Sequence, residues 1–190
     1  MGTLKTTNIQ SISGSGTVTL GVSGETFDIP SGVTLDSTGA TITGALTNTP
    51  AFAATGASNA ISSATYVKAQ NGTELLDTNG DYDNSSNYRF TPSVAGKYYV
   101  SNTICVDPDS NMQYITASIY KNGSRIAQSL KGFNNTDPIG NNYFSVTVNI
   151  IADANGSSDY FEAYAYLHQD GDFRSTSGEN VFLGYKIIGA

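Results

Sequence analysis

Between residues 96 and 190 apolar and polar positions alternate, and the alternation recurs in five long runs: GKYYVSNTICVD, QYITASIYKNG, NYFSVTVNIIAD, DYFEAYAYLHQ and NVFLGYKIIGA. A period of two sends successive side chains to opposite faces of a strand. In DYFEAYAYLHQ one face carries Phe161, Ala163, Ala165 and Leu167, and the other Tyr160, Glu162, Tyr164, Tyr166 and His168. In QYITASIYKNG, Ile115, Ala117 and Ile119 oppose Tyr114, Thr116, Ser118 and Tyr120. No segment keeps a helical period over ten residues. Turn signals separate the runs: Asp107-Pro108-Asp109, Lys121-Asn122-Gly123, Asp137-Pro138, Ala154-Asn155-Gly156 and Asp170-Gly171-Asp172. Long strands at this spacing predict an all-β antiparallel sandwich or jelly roll. A sandwich face turned to water is ordinarily charged or Thr-rich, but here it is often aromatic. Tyrosine suits an interface because it buries area and keeps a polar tip. The pattern therefore predicts a subunit interface at Tyr114, Tyr120, Tyr164, Tyr166 and Tyr185. The plain alternative is exposed tyrosine on a charge-poor surface.

The pattern changes near Pro50. Residues 1–49 contain one aromatic, Phe27, whereas all twelve tyrosines follow Pro50. Short alternating pieces fill this first part: Val18, Leu20 and Val22, then Phe27 and Ile29, then Val33 and Leu35, then Ile42. Gly or Ser separates them, as between short strands with tight turns. One copy has too little apolar surface for a core of its own. A polar linker would account for the composition, but a linker needs no regular alternation. Three copies wrapped around one axis would each supply a wall of a shared core. The expected organisation is a β-rich stem or arm over 1–49 and a head over 50–190.

With 190 residues the chain has room for one ordinary domain and a small addition. Charged residues make up 13% of it, about half the usual share. The net charge is −7, and no basic run exceeds one residue, which argues against a nucleic-acid partner. The single cysteine, Cys105, permits no intrachain disulfide. MGTLKTTNIQ lacks the apolar core of a secretory signal, and no apolar run approaches the length of a membrane span. The expectation is synthesis in a cytoplasm and, for work outside a cell, release by lysis.

Catalytic chemistry finds little footing. One histidine, His168, and one cysteine, Cys105, stand in no nucleophile–base motif. They fall short of the three or four ligands a zinc site needs, unless a trimer gathered three copies of His168. Neither GxxxxGK nor GxGxxG occurs. Carboxylates pair in Asp81/Asp83, Asp107/Asp109 and Asp170/Asp172, an arrangement that can hydrolyse glycosides. Asp-rich turns are nevertheless ordinary in β proteins, and the sequence has no tryptophan for a sugar platform. The reading is a protein that is not an enzyme. DTNGDYD at 77–83 invites comparison with a calcium loop, but its Gly80 is fourth and position twelve is Tyr88, which excludes an EF-hand.

Two stretches resemble known proteins. Pro50-Ala51-Phe52 opens the second half, Phe90, Gly96 and Tyr98 follow in its middle, and Phe182, Gly184 and Tyr185 close it. This order resembles the globular head of complement subcomponent q and its tumour-necrosis-factor-like relatives. It departs from that pattern in a Tyr82–Phe90 gap one residue longer and in Val100 and Asn102 at aromatic positions. The resemblance implies a ten-stranded jelly roll forming a homotrimer, a binding or structural module with its last strand central. Phe52, Phe90, Gly96, Tyr98, Phe182 and Gly184 would be structural. Gly96 is expected in a tight turn, and Phe90 and Tyr98 are expected to pack across a strand pair. Some relatives bind calcium through loop carboxylates, which makes Asp77, Asn79, Asp81, Asp83, Asp170 and Asp172 the calcium candidates; no other cofactor is expected. Residues 3–45, through NIQS, SGSGTVTLG and IPSGVTL, resemble the N-terminal segments of tail-fibre and other virion proteins of marine bacteriophages and cyanophages. This second resemblance implies a virion protein whose residues 1–49 bind a phage capsid or tail protein. Its head would meet a host-surface glycan or protein. Capsid decoration and, further off, a free lectin-like module are the alternatives.

Overall fold

The computed structural model describes residues 31–32, 48–133, 143–174 and 178–188. The expected stem over 1–49 lies outside them but for four residues, and the Asp137-Pro138 turn lies outside them entirely. The described residues form strands and no helix. The strands are β1 (Ala51–Thr55), β2 (Ala60–Ile61), β3 (Tyr66–Lys68), β4 (Thr73–Asp77), β5 (Tyr82–Asp83), β6 (Arg89–Phe90), β7 (Ala95–Pro108), β8 (Tyr114–Lys121), β9 (Ser124–Gly132), β10 (Phe144–Asn155), β11 (Phe161–Leu167), β12 (Gly171–Phe173) and β13 (Val181–Lys186).

All pairings are antiparallel, and they make two sheets. The seven-stranded sheet runs β4-β1-β13-β7-β10, with β12 and then β2 joining β7 beyond the end of β13. The six-stranded sheet runs β5-β6-β11-β8-β9, with β3 joining β11 beyond the end of β6. The described residues thus hold thirteen strands. That corrects the expected count of ten; five of the thirteen, β2, β3, β5, β6 and β12, have only two or three residues each. Asp170-Gly171-Asp172 was expected as a turn, but Gly171 and Asp172 belong to β12 and pair with both β7 and β2. Lys121-Asn122-Gly123 does turn the chain. Asn122 and Gly123 have φ of 51° and 76°, the left-handed pair that a two-residue hairpin requires. The last strand, β13, lies between β1 and β7.

The core lies between the sheets and follows the alternation. Ile115, Ala117, Ile119, Phe161, Ala163, Ala165 and Leu167 are all fully buried. Its aromatic centre is Phe52, whose ring centroid lies 4.2 Å from Phe90, 4.8 Å from Phe182 and 5.0 Å from Tyr82. Phe52 and Phe182 come from one sheet, and Phe90 and Tyr82 from the other, so this cluster joins the two layers. Phe90 also meets Tyr98 edge-on at 5.7 Å. That contact corrects the expectation of a cross-strand pair: β6 and β7 belong to different sheets, and the two rings meet through the core. Gly184 faces Phe52 and Val100 across its two neighbours. A Cβ there would come within 3.0 Å of both the Phe52 ring and the Tyr99 carbonyl oxygen. Gly96 is not in a turn but is the second residue of β7, with φ of 151°. Side chains rarely adopt that conformation.

One polar side chain crosses the core. Asn102 is fully buried, and its Nδ2 donates to the carbonyl oxygens of Ser118 (2.9 Å) and Tyr164 (3.1 Å) in the opposite sheet. An unpaired amide in such a place would cost about 1–3 kcal/mol. Here the amide N–H groups tie β7 to the β8–β11 ladder.

Candidate functional site

The DTNGDYD carboxylates all have work within the fold. Asp77 ends β4. Its Oδ1 accepts from the backbone N–H groups of Asn79 (3.2 Å), Gly80 (2.9 Å) and Asp81 (3.1 Å), and its Oδ2 from that of Tyr82 (2.8 Å). Asp81 Oδ2 accepts from the Ser93 backbone N–H and hydroxyl. Asp83 caps the next turn, accepting from the N–H groups of Ser85, Ser86 and Asn87 and from the Asn87 amide. The backbone bonds from Ser86 and Ser85, with the Asn87 side chain, hold its carboxyl well below the usual carboxylate range. Asn79 points its amide at Ser93 (3.4 Å) and accepts from Thr78 (2.9 Å). Asp170 Oδ1 accepts from the Ser63 N–H (2.6 Å), while Asp172 sits opposite Asp107 in the ladder. Among the described residues no three His, Cys, Asp or Glu side chains converge as a metal site would require. The geometry of DTNGDYD is that of a hydrogen-bonded turn.

His168 and Cys105 are not brought together. His168 follows β11, its ring 5.6 Å from that of Tyr114. Cys105 lies in β7 of the other sheet, buried, and burial pushes its thiol up.

The five tyrosines expected in one interface divide between two faces. Phe182 and Gly184 point into the core, so Tyr185 points out of the seven-stranded sheet. Tyr114, Tyr120, Tyr164 and Tyr166 point out of the six-stranded sheet, on the far side of the sandwich. They therefore form two separate patches on one chain.

The outer face of the seven-stranded sheet is nearly uncharged. One row across it reads Ala51, Tyr185, Tyr99, Ile151, and the next Leu76, Ala53, Leu183, Ser101, Asn149. Val181, Thr103 and Thr147 follow. Ile151 is 59% exposed, Leu76 49% and Tyr185 39%. Its charges lie at its two ends: Lys97 pairs with Asp153 at 2.8 Å at one, and Asp107 and Asp172 are neighbours at the other.

The other outer face is a connected layer of rings. Tyr114 stacks on Tyr166, 5.6 Å apart and 3° from parallel, and their hydroxyls bond at 3.3 Å. Tyr166 meets Tyr66 at 5.0 Å, Tyr66 meets Tyr120 at 6.1 Å, and Tyr120 meets Tyr164 at 4.2 Å. Tyr66 was missed from sequence because β3 has only three residues and shows no alternation. Cations lie on the rings: Arg125 over Tyr66 (4.9 Å) and Lys68 over Tyr164 (5.9 Å). Lys68 also pairs with the buried Glu162 carboxylate at 2.5 Å. Burial, with Glu162 beside it, pushes the Tyr164 phenol up to about 12.

This sandwich defines the class of the molecule: a jelly roll of the tumour-necrosis-factor type. Among solved structures it is similar to murine APRIL at pH 8.0, with a TM-score of 0.55 and 8% identity over 72% of this chain and 98% of that one. It is also similar to the Eiger TNF from S. frugiperda, with a TM-score of 0.55 and 11% identity over 74% of this chain and 93% of that one. At such identities the likeness is one of fold. No family model matches the chain, and no curated protein matches it.

Proposed function

We propose that this chain is a homotrimeric structural protein of a bacteriophage virion, a short tail fibre or surface appendage. Its jelly-roll head faces outward to a host-surface glycan or protein, and residues 1–49 join it to a capsid or tail protein. It binds and builds rather than catalyses. The observation that carries self-association is the outer face of the seven-stranded sheet. Tyr185, Tyr99, Ile151, Leu183 and Leu76 there form an apolar patch between two charged ends, Lys97 with Asp153 at one and Asp107 with Asp172 at the other. Such a patch is a mark of a surface that meets another protein. What supports the virion assignment is the resemblance of residues 3–45 to virion-proximal segments. Cyclic trimers form through unlike patches on neighbouring copies, so a second surface is expected to meet this one.

Forty-nine residues at ~3.3 Å each reach no farther than about 160 Å, so residues 1–49 make a short stem. That length also suits a capsid decoration protein, the second reading. Copy number per particle separates the two: hundreds for decoration, some tens or fewer for a fibre. The test of attachment is deletion of residues 1–49. The shortened protein is expected to remain a soluble trimer and to be absent from particles. Its incorporation would refute the assigned role of that segment.

A further inference from the structure

The outer face of the six-stranded sheet is a second surface with a different chemistry. Its tyrosines are half-buried and lean on one another in an unbroken chain from Tyr114 to Tyr164. Rings held in this way are already fixed in place, with their edges and hydroxyls toward the rim. Such a surface meets a ligand at small cost in side-chain freedom. The floor beneath is polar: Thr116 and Ser118 point outward from β8 and are covered to within 1% of their surface. Their hydroxyls have no hydrogen-bond partner. A face shaped to stay dry against another protein would be better served by alanine or valine at these positions.

Charge selects among polar ligands. The chain carries −7 overall, yet the cations here lie on the rings. Lys68 is neutralised by Glu162. Arg125 is not: it is exposed, lies over Tyr66, and donates to the Tyr66 hydroxyl with no carboxylate in reach among the described residues. A guanidinium flanking a rigid aromatic surface is suited to a carboxylate held beside a flat apolar face. A sugar acid has both, since its pyranose ring offers C–H groups to stack and its carboxylate offers two acceptors.

We propose that this tyrosine face binds a carboxylate-bearing oligosaccharide, with pyranose rings on Tyr66, Tyr166 and Tyr114 and a carboxylate on Arg125. The proposal rests on the outward-facing head of the preceding section and gives its ligand a chemical class and a place.

The test is binding of the full-length protein to an array of neutral and carboxylate-bearing oligosaccharides, with galacturonate, mannuronate and sialyl oligomers among the acids. A bound acid is then followed by titration against the same oligomer with its carboxyls reduced to alcohols. The expected result is binding to at least one acidic oligomer that weakens about tenfold or more on reduction, the loss of one good charged contact. Arg125→Gln should abolish that preference, so that the acidic oligomer and its reduced form bind alike. Tyr166→Ala should weaken both forms. Binding to no acidic member, or a preference untouched by Arg125→Gln, overturns the proposal. Native mass is read on every sample. A trimer lost in Arg125→Gln would make this face a subunit contact and would also overturn the proposal. A wild-type monomer that still binds the acid through Arg125 would instead refute the trimer and leave the site standing.

Discussion

The two outer faces of this sandwich are built by the same period-two alternation, and both are rich in tyrosine, yet they differ in what surrounds the rings. On the seven-stranded sheet Tyr99 and Tyr185 lie beside Ile151, with Leu183 in the next row, and charged side chains stand only toward the two ends. On the six-stranded sheet the rings lean on one another, carry Arg125 and Lys68, and cover hydroxyls. The first face has open apolar surface to lose on contact with protein. The second has already buried much of its aromatic surface against itself and offers edges and charge. Tyrosine content alone therefore does not define an interface; the neighbours of each ring decide what it can meet.

The largest effect expected from breaking this contrast is Leu183→Asp. A carboxylate at the centre of the apolar face would be trapped without a partner in the assembled trimer, a cost of several kcal/mol. The trimer should dissociate by light scattering. Tyr166→Asp on the opposite face should leave the mass unchanged. A reversed pattern would exchange the roles of the two faces.

Next in size is Asn102→Ala, which removes the link between the backs of the two faces. It should lower stability in urea by about 1–3 kcal/mol without changing native mass. A change in mass at that buried position would mean that the faces are coupled through the core.

Alkaline pH should reach the tyrosines next. Burial pushes Tyr98 and Tyr164 up to about 12 in the folded protein, and Tyr82 further still, from an ordinary value of 10.0. Above pH 10 the unfolded chain releases these protons while the folded one retains them. The unfolded state is then favoured, and stability falls as pH rises toward 12. Urea titrations across this range should show the decline, and Tyr164→Phe should make it shallower. A flat profile would place these phenols in water.

The smallest effect concerns the turn at 77–83. Its carboxylates already accept backbone N–H groups, so a calcium chelator should leave both native mass and melting temperature unchanged. A fall in either would restore DTNGDYD as a metal site.

The parts legible in the sequence are those that alternation encodes. β7, β8, β10, β11 and β13 coincide with the five alternating runs, and the inward faces of β8 and β11 are as expected. β9 was missed because SRIAQSLKG is an edge strand, mostly exposed, with polar residues on both sides. β12 was read as a turn because Asp-Gly-Asp favours one, and its short pairings arise only from tertiary placement. Alternation also identified Tyr114, Tyr120, Tyr164 and Tyr166 as one face of their strands, opposite the core. It carries no information on which sheet a strand joins, so the division of the five tyrosines between two faces was not legible. The contact between Phe90 and Tyr98 was expected, but its route through the core depends on the same missing information.

The claim on which the rest depends is that the apolar face of the seven-stranded sheet holds copies of this chain together. Light scattering of the full-length protein tests it directly, before and after Leu183→Asp. The account predicts three times the 19.9 kDa chain mass for the wild type and a single chain for the variant. A wild-type monomer, or a trimer indifferent to the substitution, would contradict it.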